Sequence, residues 1–223
     1  MKLTILGVLA SSLLMSSFSA NAELSGNFGI TSNYLWRGVS QSDDNPSVSG
    51  GLDYKHEKGF YAGAWLGSVK FGDDSGTEID TYLGFSKEMG EASYDVGYIY
   101  YAYPAEAHDD INFGELYFKG AYKGLSYGVA YTINSDAKDD ETFAEGDMYY
   151  YVGYEFELSQ GFNLALTYGY YNFDENEAIA GDNDYRYIQA DLSKDDFVFT
   201  VSKADEESGD DDTKFAVSWS KTF

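Results

Sequence analysis

Apolar and aromatic residues recur at every second position over much of this chain. In residues 79–85, Ile79, Thr81, Leu83 and Phe85 share one parity, while Asp80, Tyr82 and Gly84 share the other. Residues 92–100 set Ala92, Tyr94, Val96, Tyr98 and Tyr100 against Ser93, Asp95, Gly97 and Ile99. The stretch 148–156 opposes Met148, Tyr150, Val152, Tyr154 and Phe156 to Tyr149, Tyr151, Gly153 and Glu155. In 162–170, Phe162, Leu164, Leu166, Tyr168 and Tyr170 oppose Asn163, Ala165, Thr167 and Gly169. A period of two is the mark of a pleated strand with one apolar face. Comparable runs begin near Leu24, Ser47, Phe60, Asn112, Leu125, Asp184, Phe197 and Thr213, which makes twelve predicted strands. Residues 60–71 are apolar on both parities, so alternation leaves the facing of that strand open. Most of these segments are longer than the ~5–6 residues usual in soluble proteins. They match the ~9–11 residues that a tilted strand needs to cross a bilayer.

The connections between strands come in two kinds that alternate along the chain. The short set reads HEKG, KEMGE, YKG, LSQG and SKDD. The long set reads SQSDDNP, FGDDSGT, YPAEAHDDI, NSDAKDDETFAEGD, FDENEAIAGDND and KADEESGDDD, and by count it carries 24 of the 38 acidic residues. Up-and-down strands send alternate connections to opposite ends, so one rim collects the short turns and the other the acidic loops. That asymmetry is the habit of outer-membrane barrels. The expected fold is therefore an all-β, transmembrane, up-and-down antiparallel β-barrel of about twelve strands. The competing architecture is a soluble sandwich or lipocalin-like barrel with its apolar face inward, which strands of this length and aromatic content fit poorly.

The two ends of the chain sharpen this expectation. Residues 1–22 have Lys2, an apolar run from Leu3 to Met15 and a close on Ala20-Asn21-Ala22, the layout of a cleaved signal peptide. The barrel would then occupy residues 23–223. At the other end, Phe215, Val217, Trp219 and the terminal Phe223 share one parity, broken by Lys221. A closed barrel needs its last strand to pair with its first, and an apolar parity ending on Phe resembles the recognition signal of the outer-membrane assembly machinery. Cysteine is absent, prolines number 2, and Gly, Tyr and Phe number 24, 22 and 15. That composition favours aromatic strands over helices or Pro-rich disorder. A formal net charge of −24 excludes nucleic acid as a partner, since binding it needs a basic surface.

The stretch TSNYLWRGVSQSDDNPSVSGGLDYKHEKGFYAGAWLGSV, residues 31–69, resembles the TorF-like porins of proteobacteria, a group of unassigned function. SNYLWRGVSQS and GFYAGAW carry the likeness most specifically. The resemblance implies an outer-membrane barrel and a channel. It brings no solute and no catalytic residues.

Opposite the apolar parity, the strands are expected to point Asn33, Asp53, Lys55, Glu78, Asp80, Asp95, Glu115, Lys119, Glu155, Glu157, Asn163, Thr167, Gln189 and Asp191 into the lumen. Acids outnumber bases there eight to two. Twelve strands at ~4.8 Å spacing and ~40° tilt give a backbone diameter of roughly 24 Å and a lumen on the order of 10 Å. A narrow channel lined this way would prefer cations. Its expected partners are outer-membrane lipid and lipopolysaccharide, the assembly machinery, and small solutes or cations. The alternative is a closed structural or adhesive barrel whose lumen is plugged by paired acids and lysines, with acidic loops that associate with divalent cations. An outer-membrane hydrolase is the third class, and the sequence supports it least. His56 and His108 fall on opposite rims, and neither a Ser–His pairing nor zinc-ligand spacing appears, so no catalytic residue, metal or cofactor is expected. Arg37 follows the first strand and would meet lipid phosphate or reach inward to an acid. Arg186 lies on an apolar parity, where it would snorkel to head groups.

Overall fold

A computed structural model describes residues 22–72, 74–104, 111–137, 142–174 and 183–223. The strands are β1 (Ala22–Thr31), β2 (Leu35–Trp36), β3 (Val39–Ser40), β4 (Ser47–His56), β5 (Phe60–Phe71), β6 (Asp74–Met89) and β7 (Ala92–Ala102). They continue as β8 (Phe113–Tyr122), β9 (Leu125–Ser135), β10 (Met148–Glu157), β11 (Asn163–Asn172), β12 (Tyr185–Lys194), β13 (Phe197–Ala204) and β14 (Lys214–Thr222). Twelve of them, all but β2 and β3, form one closed antiparallel barrel in which each strand pairs with its neighbours in sequence. These are the twelve strands that alternation predicts, but one expected long loop is not one. FGDDSGT pairs as strand from Asp74 onward, with Phe71 opposite Asp74 and Ser68 opposite Thr77, because β5 and β6 extend beyond the alternating segment. The pair β2–β3 is a separate small hairpin that alternation does not predict.

Closure is made by β1 against β14, in a register that opposes Ile30 to Trp219 and Asn27 to Thr222. The last residue takes part in it. The Gly26 N–H donates to the Phe223 carbonyl and the Phe223 N–H donates to the Gly26 carbonyl, both at 2.9 Å. Phe215, Val217 and Phe223 point outward and are exposed, and Trp219 is half-buried. Lys221 meets Asp196 at 2.8 Å in the neighbouring short turn, so the one break in the apolar parity falls at the rim, where an ion pair is wet. Arg186 is likewise exposed, with its guanidinium 3.5 Å from Asp205 and over the Tyr170 ring.

The apolar parity faces out. Leu52 and Ile188 are each 62% exposed, whereas Tyr171 and Tyr187, on the other parity, are 0% and 2% exposed. The direction of burial is thus the reverse of a soluble sandwich. Phe28, Leu83, Val96, Leu116, Val152, Phe199 and Val217 continue the outer belt around the wall. Ten residues of tilted strand, at ~3.3 Å rise and ~40° tilt, span about 25 Å along the barrel axis, the height of a bilayer's apolar band. Strand β5 resolves its ambiguity by turning Phe60, Ala62 and Leu66 outward and burying Gly67 and Val69 inside.

The inner wall explains why the chain is rich in both Tyr and Gly. Large rings can share a narrow lumen only if they lie flat against the wall, and a ring lies flat over a residue without a side chain. Register places Tyr61 opposite Gly84, Gly84 opposite Gly97, and Gly97 opposite Tyr117. The Tyr61 and Tyr117 hydroxyls meet, and Tyr61 also donates to Asp95. The same arrangement sets Tyr82 against Gly63, Tyr151 against Gly128, and Tyr187 against Gly169.

A methyl at Gly97 would sit 2.6 Å from the Leu83 carbonyl oxygen and 2.5 Å from the Tyr117 hydroxyl. The carbonyl belongs to a paired strand and cannot retreat. Gly97→Ala should therefore lower unfolding free energy by about 1–3 kcal/mol, the usual cost of overpacking. The lipid-facing Ala62→Val should change it by no more than about 0.5 kcal/mol. Urea titration of the protein in lipid vesicles measures both, and equal midpoints would contradict the packing described.

Candidate functional site

The first long connection, residues 32–46, folds inward and closes the long-loop half of the lumen. Its tip is the hairpin β2–β3, whose two-residue turn is Arg37-Gly38, with φ of 48° and 92°. Positive φ at both turn positions is what a primed two-residue hairpin requires, and Gly at the second favours it. The conformation sets the turn against β12 and β13. A Cβ on Gly38 would lie 2.5 Å from Tyr187, and the Ser202 hydroxyl donates to the Gly38 carbonyl. Leu35 and Trp36 precede the turn, and Trp36 enters an aromatic cluster with Tyr101, Phe113, Phe143 and Tyr171 at centroid distances of 5.8–6.3 Å.

Arg37 crosses the lumen to Glu115 of β8. Its Nη1 donates to Oε1 at 2.8 Å and its Nη2 to Oε2 at 2.6 Å, a bidentate pair in which Glu115 is 1% exposed. The guanidinium also stacks over Trp36 at 4.2 Å and over Tyr149 at 4.1 Å. Tyr101 and Tyr171 donate longer bonds to the same carboxylate. Of the two roles open to Arg37 in sequence, the inward one holds. Fork geometry and delocalised charge suit arginine, and not lysine, to a dry stacked position of this kind.

The base of the plug is fixed by polar bonds. Asn33 is not a wall residue, since β1 ends at Thr31. It sits buried in the inserted segment, donating to Asp44 at 2.6 Å and accepting from Ser40 and Ser42. Lys214, buried on the inner face of β14, bridges Asp44 at 2.8 Å and Asp210 at 2.6 Å. The Ser40 N–H donates to Asp210, and the Lys70 N–H donates to the Gln41 carbonyl. Asp147, in the loop before β10, accepts from the Asp174 N–H, and burial raises its carboxyl to about 6. Burial, then the charges of Glu78 and Asp80, hold the Tyr34 phenol well above its usual range.

The residues expected in the lumen divide into two environments. Glu78, Asp80 and Glu115 lie in the long-loop half, at 1%, 4% and 1% exposure, packed around the plug instead of lining open space. Asp53, Lys55, Asp95, Lys119, Glu155, Asn163, Gln189 and Asp191 are half-buried in the short-turn half. There Tyr82 donates to Asp53, Gln189 donates to Asp191 at 2.8 Å, and Thr200 donates to Asp191 at 2.6 Å. Lys119 faces Asp95 across the β7–β8 pair, with its ammonium 4.5 Å from the Tyr117 ring. Thr167 is buried beside this vestibule, and Glu157 is exposed at its rim. An open lumen of uniform width is thus replaced by an acidic vestibule beneath a seal. Trp36, Tyr149, Tyr171 and Lys214 are structurally central, yet alternation does not single them out. The one available signal is the run Tyr-Leu-Trp-Arg-Gly-Val, residues 34–39, inside a connection whose remaining residues are polar apart from Pro46. Among the described residues no group of three or more acids and histidines is arranged to hold a metal ion. His108 and residues 175–182, within the DENEAIAGDND segment, lie outside the described residues.

Among solved structures, the KdgM porin superposes with a TM-score of 0.56 at 10% identity, over 89% of this chain and 99% of that one. The KdgM porin in complex with disordered oligogalacturonate gives 0.51 at 8% identity, over 90% and 97%. At such identities the likeness is one of fold. No curated protein matches the chain in sequence. A family model described as a bacterial protein of unknown function, Gcw_chp, matches residues 16–186, most of the barrel and all of the inward hairpin. This closed twelve-stranded barrel, porin-like in fold, belongs to the Gcw_chp family.

Proposed function

We propose that this chain is a narrow, cation-preferring outer-membrane channel for ions or small polar solutes, and that the inward hairpin is its gate. The carrying observation is the charge of the half-buried vestibule. Among the described residues, Asp53, Asp95, Glu155 and Asp191 face the lumen there, offset by Lys55 and Lys119. A low-dielectric wall focuses such a field on whatever enters, and a Debye length of ~8 Å at 0.15 M salt confines it to the vestibule itself. A polyanion such as the oligogalacturonate held by KdgM is a poor cargo for this lumen. Small cations and neutral polar solutes are good ones.

The aromatic seal around Trp36 favours a second reading, a closed barrel with a structural role. The two differ in what the plug does. Its tip is held chiefly by one ion pair and by ring packing, whereas the wall is held by strand pairing that does not involve those side chains. The gate can therefore leave without unfolding the barrel.

Two measurements decide between the readings. In planar bilayers under a salt gradient, the reversal potential should report cation preference. Asp53→Asn with Asp191→Asn should reduce that preference, and anion preference in the unaltered protein would refute the proposal. Removing one partner of a buried ion pair costs about 3–5 kcal/mol, because the other charge is left unpaired. Glu115→Ala should accordingly release the hairpin and raise single-channel conductance or open probability, while heat-shifted migration on gels shows the barrel intact. Silence from both the unaltered protein and Glu115→Ala would favour the structural role.

A further inference from the structure

Strand β6 presents Glu78 and Asp80, two residues apart, to the lumen beside the plug. Glu78 Oε1 accepts from the Tyr103 hydroxyl at 3.1 Å. Glu78 Oε2 and Asp80 Oδ1 are buried and have no hydrogen-bond partner among the described residues. Tyr34, on the plug, brings its hydroxyl to the same place beside Glu78. No basic side chain among the described residues forms an ion pair with either acid. Arg37 is committed to Glu115, Lys70 to Asp43, and Lys214 to Asp44 and Asp210. Rings flank the pair, with Trp65 against Tyr34 and Phe71 against Tyr103.

Two buried carboxyls side by side must either hold protons or share a cation. Each ionised group taken from water costs several kcal/mol even after relaxation, and two like charges side by side add to that. A positive charge of matching size removes both penalties. We propose that Glu78 and Asp80 of the wall, with Tyr34 of the hairpin, hold a hard divalent cation of the Ca²⁺ type that fastens the plug to β6. Two carboxylates offer up to four oxygens and neutralise a charge of +2, and phenol and water oxygens complete the shell that Ca²⁺ prefers. Because one ligand comes from the plug and two from the wall, the ion would bind the closed conformer more tightly than the open one. Divalent cation would then hold the channel shut. This deepens the gate reading and rests on it for its consequence, but the binding site itself is tested separately.

The test uses the full chain, purified, refolded in detergent and titrated with Tb³⁺, whose emission is sensitised by nearby Tyr and Trp rings, with Ca²⁺ as competitor. Three proteins are compared: unaltered, Glu78→Gln with Asp80→Asn, and Glu206→Gln with Glu207→Gln on an exposed loop. Heat-shifted migration confirms that each is folded. The unaltered protein and the loop variant should show a saturable component displaced by Ca²⁺. Residues that only orient metal ligands are worth about 10–100-fold in affinity, so loss of both carboxylates should weaken this component by at least ~100-fold. A titration unchanged in the Glu78→Gln, Asp80→Asn protein would overturn the proposal, as would emission that disappears only in the loop variant. The pair would then be carrying protons. If the site is confirmed but bilayers stay silent with Ca²⁺ chelated, the cation site stands and the gate reading falls.

Discussion

A backbone N–H or C=O that faces lipid has nothing to bond to except another strand, and this obligation governs the whole molecule. It forbids a free edge, so the last strand must find the first. It also requires an uninterrupted circuit of paired neighbours, here twelve antiparallel strands. The reciprocal bonds between Gly26 and Phe223 complete that circuit at the final residue of the chain. Once the wall is closed by its own backbone, side chains are released from holding the fold together in the usual way. The outer ones need only be apolar, and the inner ones can be assigned to other tasks.

The inner face uses this freedom unevenly. Its tyrosines lie flat over glycines on adjacent strands, giving a wall that is thin enough to leave room for a loop. In the long-loop half that room is filled by the 32–46 segment, where Arg37 and Glu115 neutralise each other among stacked rings. In the short-turn half the acids remain in contact with water and bond to hydroxyls and amides. A buried ion pair is weak evidence for stability, because desolvation offsets most of its Coulomb energy. Its value here is positional. A bidentate fork between a hairpin tip and one glutamate admits a single placement of the tip.

The fold's likeness to porins and the family's lack of an assigned function are consistent with each other, because one barrel wall can serve many functions. What distinguishes this barrel projects inward: half-buried acids in the short-turn half and a hairpin in the other. The likeness to KdgM concerns the wall alone.

The length of β6 escaped the sequence, since FGDDSGT reads as a loop and residues 74–77 are strand. The sequence alone nevertheless determined the number of barrel strands, which face of each meets lipid, which rim carries the longer loops and how the barrel closes. All of these follow from side-chain parity and turn spacing, which are relations between neighbours a few residues apart. Only β5, apolar on both parities, needed the tertiary structure to orient it. The inward hairpin was decided by that structure alone. Its anchoring pair joins residues 78 positions apart, and a loop with positive φ at Arg37 and Gly38 leaves no periodic trace. The same is true of which acids are dry. Glu78, Asp80 and Glu115 share a parity with Asp53 and Asp191, and only the loop folded over the first three separates them from water. Parity tells a residue which way to face. What it meets there depends on the rest of the chain.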